Sequence, residues 1–208
     1  MVGLQEVLIA SGNPKKIREI RGLLAPLSVQ VLTSDEVGPL PEVIEDAPTF
    51  ADNAAKKARE TAIATGRWCL ADDSGLEVDA LDGAPGVFSA RFAGKHGDDE
   101  ANNEKLLSLL EGKPPEQRGA RFVCALALAD PQGEVTAQFE GTAEGLILDA
   151  PRGSGDFGYD PLFLFTEEGH DQTGQGFAEL APDAKSAISH RGRALQKFIH
   201  HLAAFEVS

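Results

Sequence analysis

Basic residues are scarce in this chain: 19 Lys and Arg stand against 33 Asp and Glu over 208 residues, a formal net charge of −14. With no basic excess to displace condensed counterions, nucleic acid is not expected as a partner. A small polyanion is a different matter, because local lysines and a metal ion can screen the carboxylates around it. Long apolar runs are also missing. No stretch approaches the ~18 apolar residues of a membrane span, so no membrane partner is expected. The opening MVGLQEVLIASGN lacks the basic flank and long apolar region of a signal peptide. Cys69 and Cys124, in the apolar contexts WCLA and VCALAL, form no CxxC pair and read as reduced, buried thiols. A cytoplasmic protein is the expectation. His96, His170, His200 and His201 have no companion cysteines or metal spacing, which argues against zinc.

What is present is ordinary globular composition, 42% hydrophobic and 25% charged, at a length that suggests a single domain over residues 1–208. Leu4 to Ala10 reads as a buried strand and Ser11 to Pro14 as a turn. Asn13 and Pro14 suit the cap and first turn of a helix, along which Ile17, Ile20, Leu23, Leu24 and Leu27 repeat. Val29 to Leu32 follows as a second strand. Thr49 with Asp52 predicts the start of a helix to about Thr65. Trp68 to Ala71 reads as a short strand running into Asp72-Asp73-Ser74-Gly75. Asp98 to Leu110 reads as a helix, and Ala120–Ala129 with Val135–Glu144 as a hairpin. The apolar stripe Ala194, Leu195, Phe198, Ile199 and Leu202 predicts a last helix capped by Ser189. Strands interleaved with helices make the class α/β or α+β with a mixed sheet.

Several segments carry potential chemistry. Ser11-Gly12-Asn13-Pro14-Lys15-Lys16 joins a strand to a helix start, where backbone N–H groups, the helix dipole and lysines favour an anion; alone, it is equally a capped helix with solvated lysines. Asp72 and Asp73 are adjacent carboxylates at the end of an apolar strand. Ionising both is costly without a cation, and Mg²⁺ often takes one or two protein carboxylates plus phosphate oxygens. The other reading is an Asp-rich turn. Glu45-Asp46 offers further metal oxygens or two solvated loop acids. Asn53 and Lys57, spaced i, i+4, share a helix face on which Lys57 can meet a phosphate. The alanines at 54, 58 and 62 suggest close packing on the sheet. Phe157, Gly158, Tyr159 and Asp160 lie in a glycine-rich loop, in a chain with only 6% aromatics. Their rings can wall a nucleobase or simply belong to the core. Lys185 precedes the proposed cap, and His190 and Arg191 place cations in a first helical turn, a local conflict that often marks function.

Taken together, SGNPKK at 11–16, TFADNAAKKA at 49–58, ADDSGLEVDAL at 71–81, GAPGVFSARFAG at 83–94, DFGYDPLF at 156–163 and KSAISHRG at 185–192 recur in order across nearly the whole chain. In this the sequence strongly resembles the inosine-triphosphate pyrophosphatase family, also called dITP/XTP pyrophosphatases. The resemblance implies an elongated, two-lobed α/β domain with a long central mixed β-sheet flanked by helices and a cleft between the lobes. It also implies a homodimer, and Mg²⁺-dependent hydrolysis of ITP, dITP or XTP to monophosphate and pyrophosphate, with water as nucleophile.

On the matching positions, it implies that Ser11, Gly12, Asn13, Pro14, Lys15, Lys16, Asn53 and Lys57 hold the triphosphate. Glu45 and Asp73 bind Mg²⁺, Asp73 or Asp72 is the general base, and Ser74 contacts substrate. Phe157, Gly158, Tyr159 and Asp160 wall the base and sugar, while Lys185, His190 and Arg191 meet the purine at its 6-oxo group.

Two positions depart from the family pattern. Ile44-Glu45-Asp46 replaces a pair of consecutive glutamates, with Glu45 keeping the spacing to Phe50 and Asp46 the second choice. Asp156 replaces a glycine. The competing expectations are a Maf-like pyrophosphatase acting on dTTP or modified pyrimidine nucleotides, and a nucleotide sensor without turnover. The SHR segment and the Phe157 loop speak against the first, and the acids against the second.

Overall fold

The computed structural model describes residues 4–27, 29–155 and 157–206, the last three as backbone; Asp156 lies outside these residues. Six strands form one mixed sheet in the order β2-β1-β3-β4-β5-β6. They are β1 (Glu6–Ile9), β2 (Gln30–Leu32), β3 (Cys69–Val78), β4 (Gly119–Ala129), β5 (Val135–Ile147) and β6 (Phe163–Phe165). β1 pairs in parallel with β2 and β3, and β5 antiparallel with β6. The helices are α1 (Pro14–Leu24), α2 (Ser34–Val37), α3 (Phe50–Thr65), α4 (Asp99–Leu109), α5 (Pro182–Ile188) and α6 (His190–Glu206). The α/β class follows.

The chain divides into two compact units. The first takes the residues up to Asp73, Cys124–Gly141 and those from Arg191 on; the second takes Ser74–Val123 and Thr142–His190. The first has a core of Val7, Ile9, Ile20, Leu24, Leu70, Leu126 and Phe198. The second is built on Leu76, Val78, Leu106, Phe122, Phe163, Phe165 and Phe177. Each fully buried side chain of this kind contributes about 1.5–3 kcal/mol.

Local signals explain the helix that positions much of the first unit's chemistry. The Thr49 hydroxyl accepts the Asp52 N–H at 3.1 Å and donates to the Asp52 carboxylate at 2.7 Å. Gly66, at φ +65°, ends α3 in the left-handed conformation. Ala54, Ala58 and Ala62 are fully buried, so this face packs without long side chains. Both cysteines are buried and unpaired; burial pushes the Cys124 thiol up to about 12, as suits an inert core residue.

Three details go beyond the sequence reading. Asp72 to Gly75 is not a turn: β3 continues through it to Val78, because sheet pairing overrides the turn preference of Asp and Gly. Lys185 lies inside a helix of its own, α5, with Ser189 the single extended residue between α5 and α6. β6 and α2 are additional elements. No described helix is long and apolar enough to cross a membrane.

Candidate active site

In the first unit, the Asn13 side chain accepts the N–H groups of Lys15 and Lys16 at 2.9 and 3.3 Å, and the Asn13 N–H donates to the Ser11 hydroxyl at 3.2 Å. The loop's own side chains therefore occupy the N–H groups expected to hold an anion. Lys15 and Lys16 are half-buried, with Gly12 and Pro14 exposed beside them.

Lys16 reaches Asp72 at 2.9 Å, and the Arg191 Nε lies 3.4 Å from the same carboxylate oxygen. Arg191 also pairs with Glu19 of α1. Lys57, one turn beyond Asn53 on α3, pairs with Glu45 and donates to the Asp72 carbonyl at 3.0 Å. Asn53 is buried, and its Oδ1 accepts the Ala47 N–H at 2.9 Å, which ties the Glu45–Asp46 segment to the helix. Asp46 turns instead to Lys56 on the surface, 65% exposed. Between the two acids, Glu45 is the one brought to Lys57.

The adjacent carboxylates differ sharply. Burial alone would raise the Asp72 carboxyl, but Lys16, Arg191 and Lys57 hold it far below the ordinary carboxylate range. Asp73 moves the other way: burial pushes it up and the Glu45 charge adds to this, against Lys57, Lys16 and Asn53. Successive strand residues point to opposite faces, which lets neighbours on β3 meet such different surroundings. Asp72 is a permanently ionised hub for cations, while Asp73 has an enhanced affinity for a proton or a cation.

Among the described residues, no group of three or more His, Cys, Asp or Glu side chains can hold a metal ion. Glu45 and Asp73 nonetheless fit a hard cation as a two-carboxylate pair. They repel one another, a divalent ion offsets that repulsion, and phosphate and water oxygens complete such a shell.

In the second unit, Lys185 pairs with buried Asp160. Its ammonium lies 5.2 Å from the centre of the Phe157 ring and 5.8 Å from that of Phe177. His190, 4% exposed, stacks on Phe122 with ring centres 4.7 Å apart. Phe157 is half-buried, as is Ser74 in β3. Tyr159 is a core residue whose hydroxyl donates to the Ser89 carbonyl at 2.9 Å, so it anchors the loop. On its other side the loop is docked against Ala178, whose carbonyl accepts the N–H groups of Ser154 and Gly155, both at 3.1 Å.

Arg191, expected at the purine, faces two carboxylates here. It belongs to the first unit, 2% exposed, with its guanidinium directed to buried Asp72 and half-buried Glu19.

The family model of the Ham1 family matches residues 7–201. The chain belongs to the Ham1 family. Its Ham1 relatives include the dITP/XTP pyrophosphatases of Desulforamulus reducens, 54% identical over 92% of each chain, and of Geobacter sulfurreducens, 50% identical over 96% of this chain and 97% of that one. Among solved structures it is similar to the HAM1 protein of Coxiella burnetii, with TM-score 0.84 and 40% identity over 96% of this chain and 99% of that one. The nucleoside-triphosphatase / dITP/XTP pyrophosphatase of Mycobacterium abscessus gives TM-score 0.74 and 46% identity over 93% and 98%. The resemblance read from the six motifs is thus to the correct family.

The motifs did not disclose every member of this Ham1 site. Glu19 and Phe122 are brought in by packing between segments distant in sequence, and Phe177 and Asn53's tie to Ala47 by shorter-range packing. Only Glu19, an acid in the helix that follows SGNPKK, had any local signal at all.

Proposed function

We propose that this chain hydrolyses ITP, dITP and XTP to the monophosphate and pyrophosphate in a Mg²⁺-dependent reaction, and so removes these nucleotides from the cellular pool. The observation that carries this reading is the split between Asp72 and Asp73 inside a cluster of Lys16, Lys57 and Arg191. A triphosphate brings roughly four negative charges, and these cations offset them. Asp72 holds Lys16 and Arg191 in place through its ion pairs with them. Asp73, with its raised proton affinity, is suited to take a proton from water at neutral pH. The water oxygen bonds to the α-phosphorus, the bond from the α-phosphorus to the α–β bridging oxygen breaks, and pyrophosphate leaves with that oxygen. Bound at Glu45 and Asp73, Mg²⁺ supplies charge neutralisation on the phosphate oxygens.

The second unit supports the purine preference. Lys185 is a fixed donor over aromatic rings, and with His190 it suits a 6-oxo purine. The 6-amino group of ATP would leave such donors unpaired. The family relatives named dITP/XTP pyrophosphatases support the same substrate class. A cytoplasmic homodimer completes the reading.

A panel of nucleoside triphosphates with Mg²⁺, separating pyrophosphate from orthophosphate, tests it. Fast release of pyrophosphate from ITP and XTP is expected. dTTP turned over far faster than ITP would instead favour a Maf-like specificity, and tight ITP binding without product a sensor. Asp73→Asn is expected to lose on the order of 10²-fold or more in turnover while still binding ITP; unchanged activity removes Asp73 from the mechanism.

A further inference from the structure

The Phe157 loop is gripped by α4, an element that carries none of the residues assigned above. Asp99 accepts the Gly158 N–H at 3.0 Å, and the Asn103 side-chain amide donates to the Gly158 carbonyl at 2.9 Å. The two are spaced i, i+4 and so share one helix face. They hold both peptide groups that flank Gly158. The Phe157 carbonyl accepts the Asp160 N–H at 3.0 Å, closing a turn with φ +55° at Gly158 and φ −91°, ψ 4° at Tyr159. Those values are of the II′ kind, with the positive φ at the first central residue. The plane of the Phe157–Gly158 peptide sets the backbone of Phe157, and hence where its ring stands.

Asn103 is not there for stability alone. Its Oδ1 is buried without a hydrogen-bond partner, a cost that a leucine of similar shape would avoid.

We infer that Asp99 and Asn103 are positioning residues for substrate specificity: a two-point clamp on Gly158 that presents Phe157 to the purine. This rests on the reading of Phe157 as a wall of the base site.

Steady-state kinetics with ITP and Mg²⁺, together with thermal unfolding, test it on Asp99→Ala, Asp99→Asn, Asn103→Leu and Phe157→Ala. The expected result is that Asn103→Leu keeps or raises Tm yet raises KM five- to tenfold with kcat within twofold. Asp99→Ala behaves likewise in KM, and Asp99→Asn, which keeps an acceptor for the Gly158 N–H, restores it. Should Asp99→Ala fail to fold, Asn103→Leu against Asp99→Asn carries the comparison. If Phe157→Ala raises KM but the clamp variants do not, the clamp is refuted and the base site stands. An unchanged KM in Phe157→Ala overturns the base site and the clamp with it. A fall in kcat that follows a fall in Tm, with KM unmoved, shows a merely structural role and overturns the clamp.

Discussion

Asp72→Asn and Asp73→Asn, one residue apart on β3, are expected to change stability in opposite senses. Asp72 is 1% exposed and faces Lys16 at 2.9 Å and Arg191 at 3.4 Å. At an effective dielectric of about 20, each contact carries roughly 5 kcal/mol of Coulomb attraction. Desolvation of the carboxylate offsets much of that, and breaking a buried pair by removing one partner typically costs about 3–5 kcal/mol. At about 2–4 °C per kcal/mol for a chain of this size, Asp72→Asn loses on the order of 10 °C in Tm.

Asp73 has the reverse sign. Its carboxyl is raised by burial and by Glu45, so the fold disfavours its ionised form, and a neutral isostere holds or increases stability at pH 7. The pH dependence separates them further. The depressed carboxyl of Asp72 contributes fully above its unfolded value of about 4 and loses that contribution only as pH falls through the folded value. The raised carboxyl of Asp73 favours the fold below that value and less so as pH rises through its folded value. Urea unfolding followed by the single tryptophan, Trp68, reads both variants between about pH 6 and 8, where the Asp72→Asn deficit should be flat. Equal losses in the two variants, or a stable Asp72→Asn, would refute the electrostatic division on which the proton-transfer assignment depends.

Three further outcomes are expected. Glu45→Gln raises the Mg²⁺ concentration for half-maximal activity by at least about tenfold, whereas Asp46→Asn, which loses only its surface pair with Lys56, leaves it unchanged; a magnesium titration of the two variants decides. His190→Phe keeps the stack on Phe122 but removes the imidazole donor, so the ITP to ATP ratio of kcat/KM falls at least about tenfold while Tm is held; an unchanged ratio counts against base reading by His190. Gly153→Ala places a Cβ 2.3 Å from the Ala178 carbonyl oxygen at φ +85°, so about 1–3 kcal/mol of stability is lost and KM for ITP rises; a neutral result in thermal unfolding and kinetics shows that the loop does not need this close approach.

Local physics was legible before any coordinates. The caps at Asn13 and Thr49 act through side chains two and three residues from their targets, and the alanine stripe of α3 follows helical period; each is a short-range signal. The course of β3 through Asp72-Asp73-Ser74-Gly75 was not, because composition there argues for a turn and only pairing across the sheet overrules it. The same distance in sequence hid most of the aromatic surroundings of the base site. Phe122 reaches His190 from a segment far along the chain, and the grip of Asp99 and Asn103 on Gly158 spans more than fifty residues. Charge was half legible. The acids and lysines stood out by type, but that Arg191 pairs with Asp72 and Glu19 depends on which carboxylates the fold brings beside it.

The Asn13 cap has a thermodynamic consequence of its own. Because its carboxamide already closes the first turn of α1, the loop holds its shape before any phosphate arrives. On the proposed function, little backbone entropy would remain to be lost when a triphosphate binds, because the loop is already formed. Amide exchange at Lys15 and Lys16 should then be slow with or without nucleotide, whereas a loop that ordered only around its ligand would exchange quickly until filled.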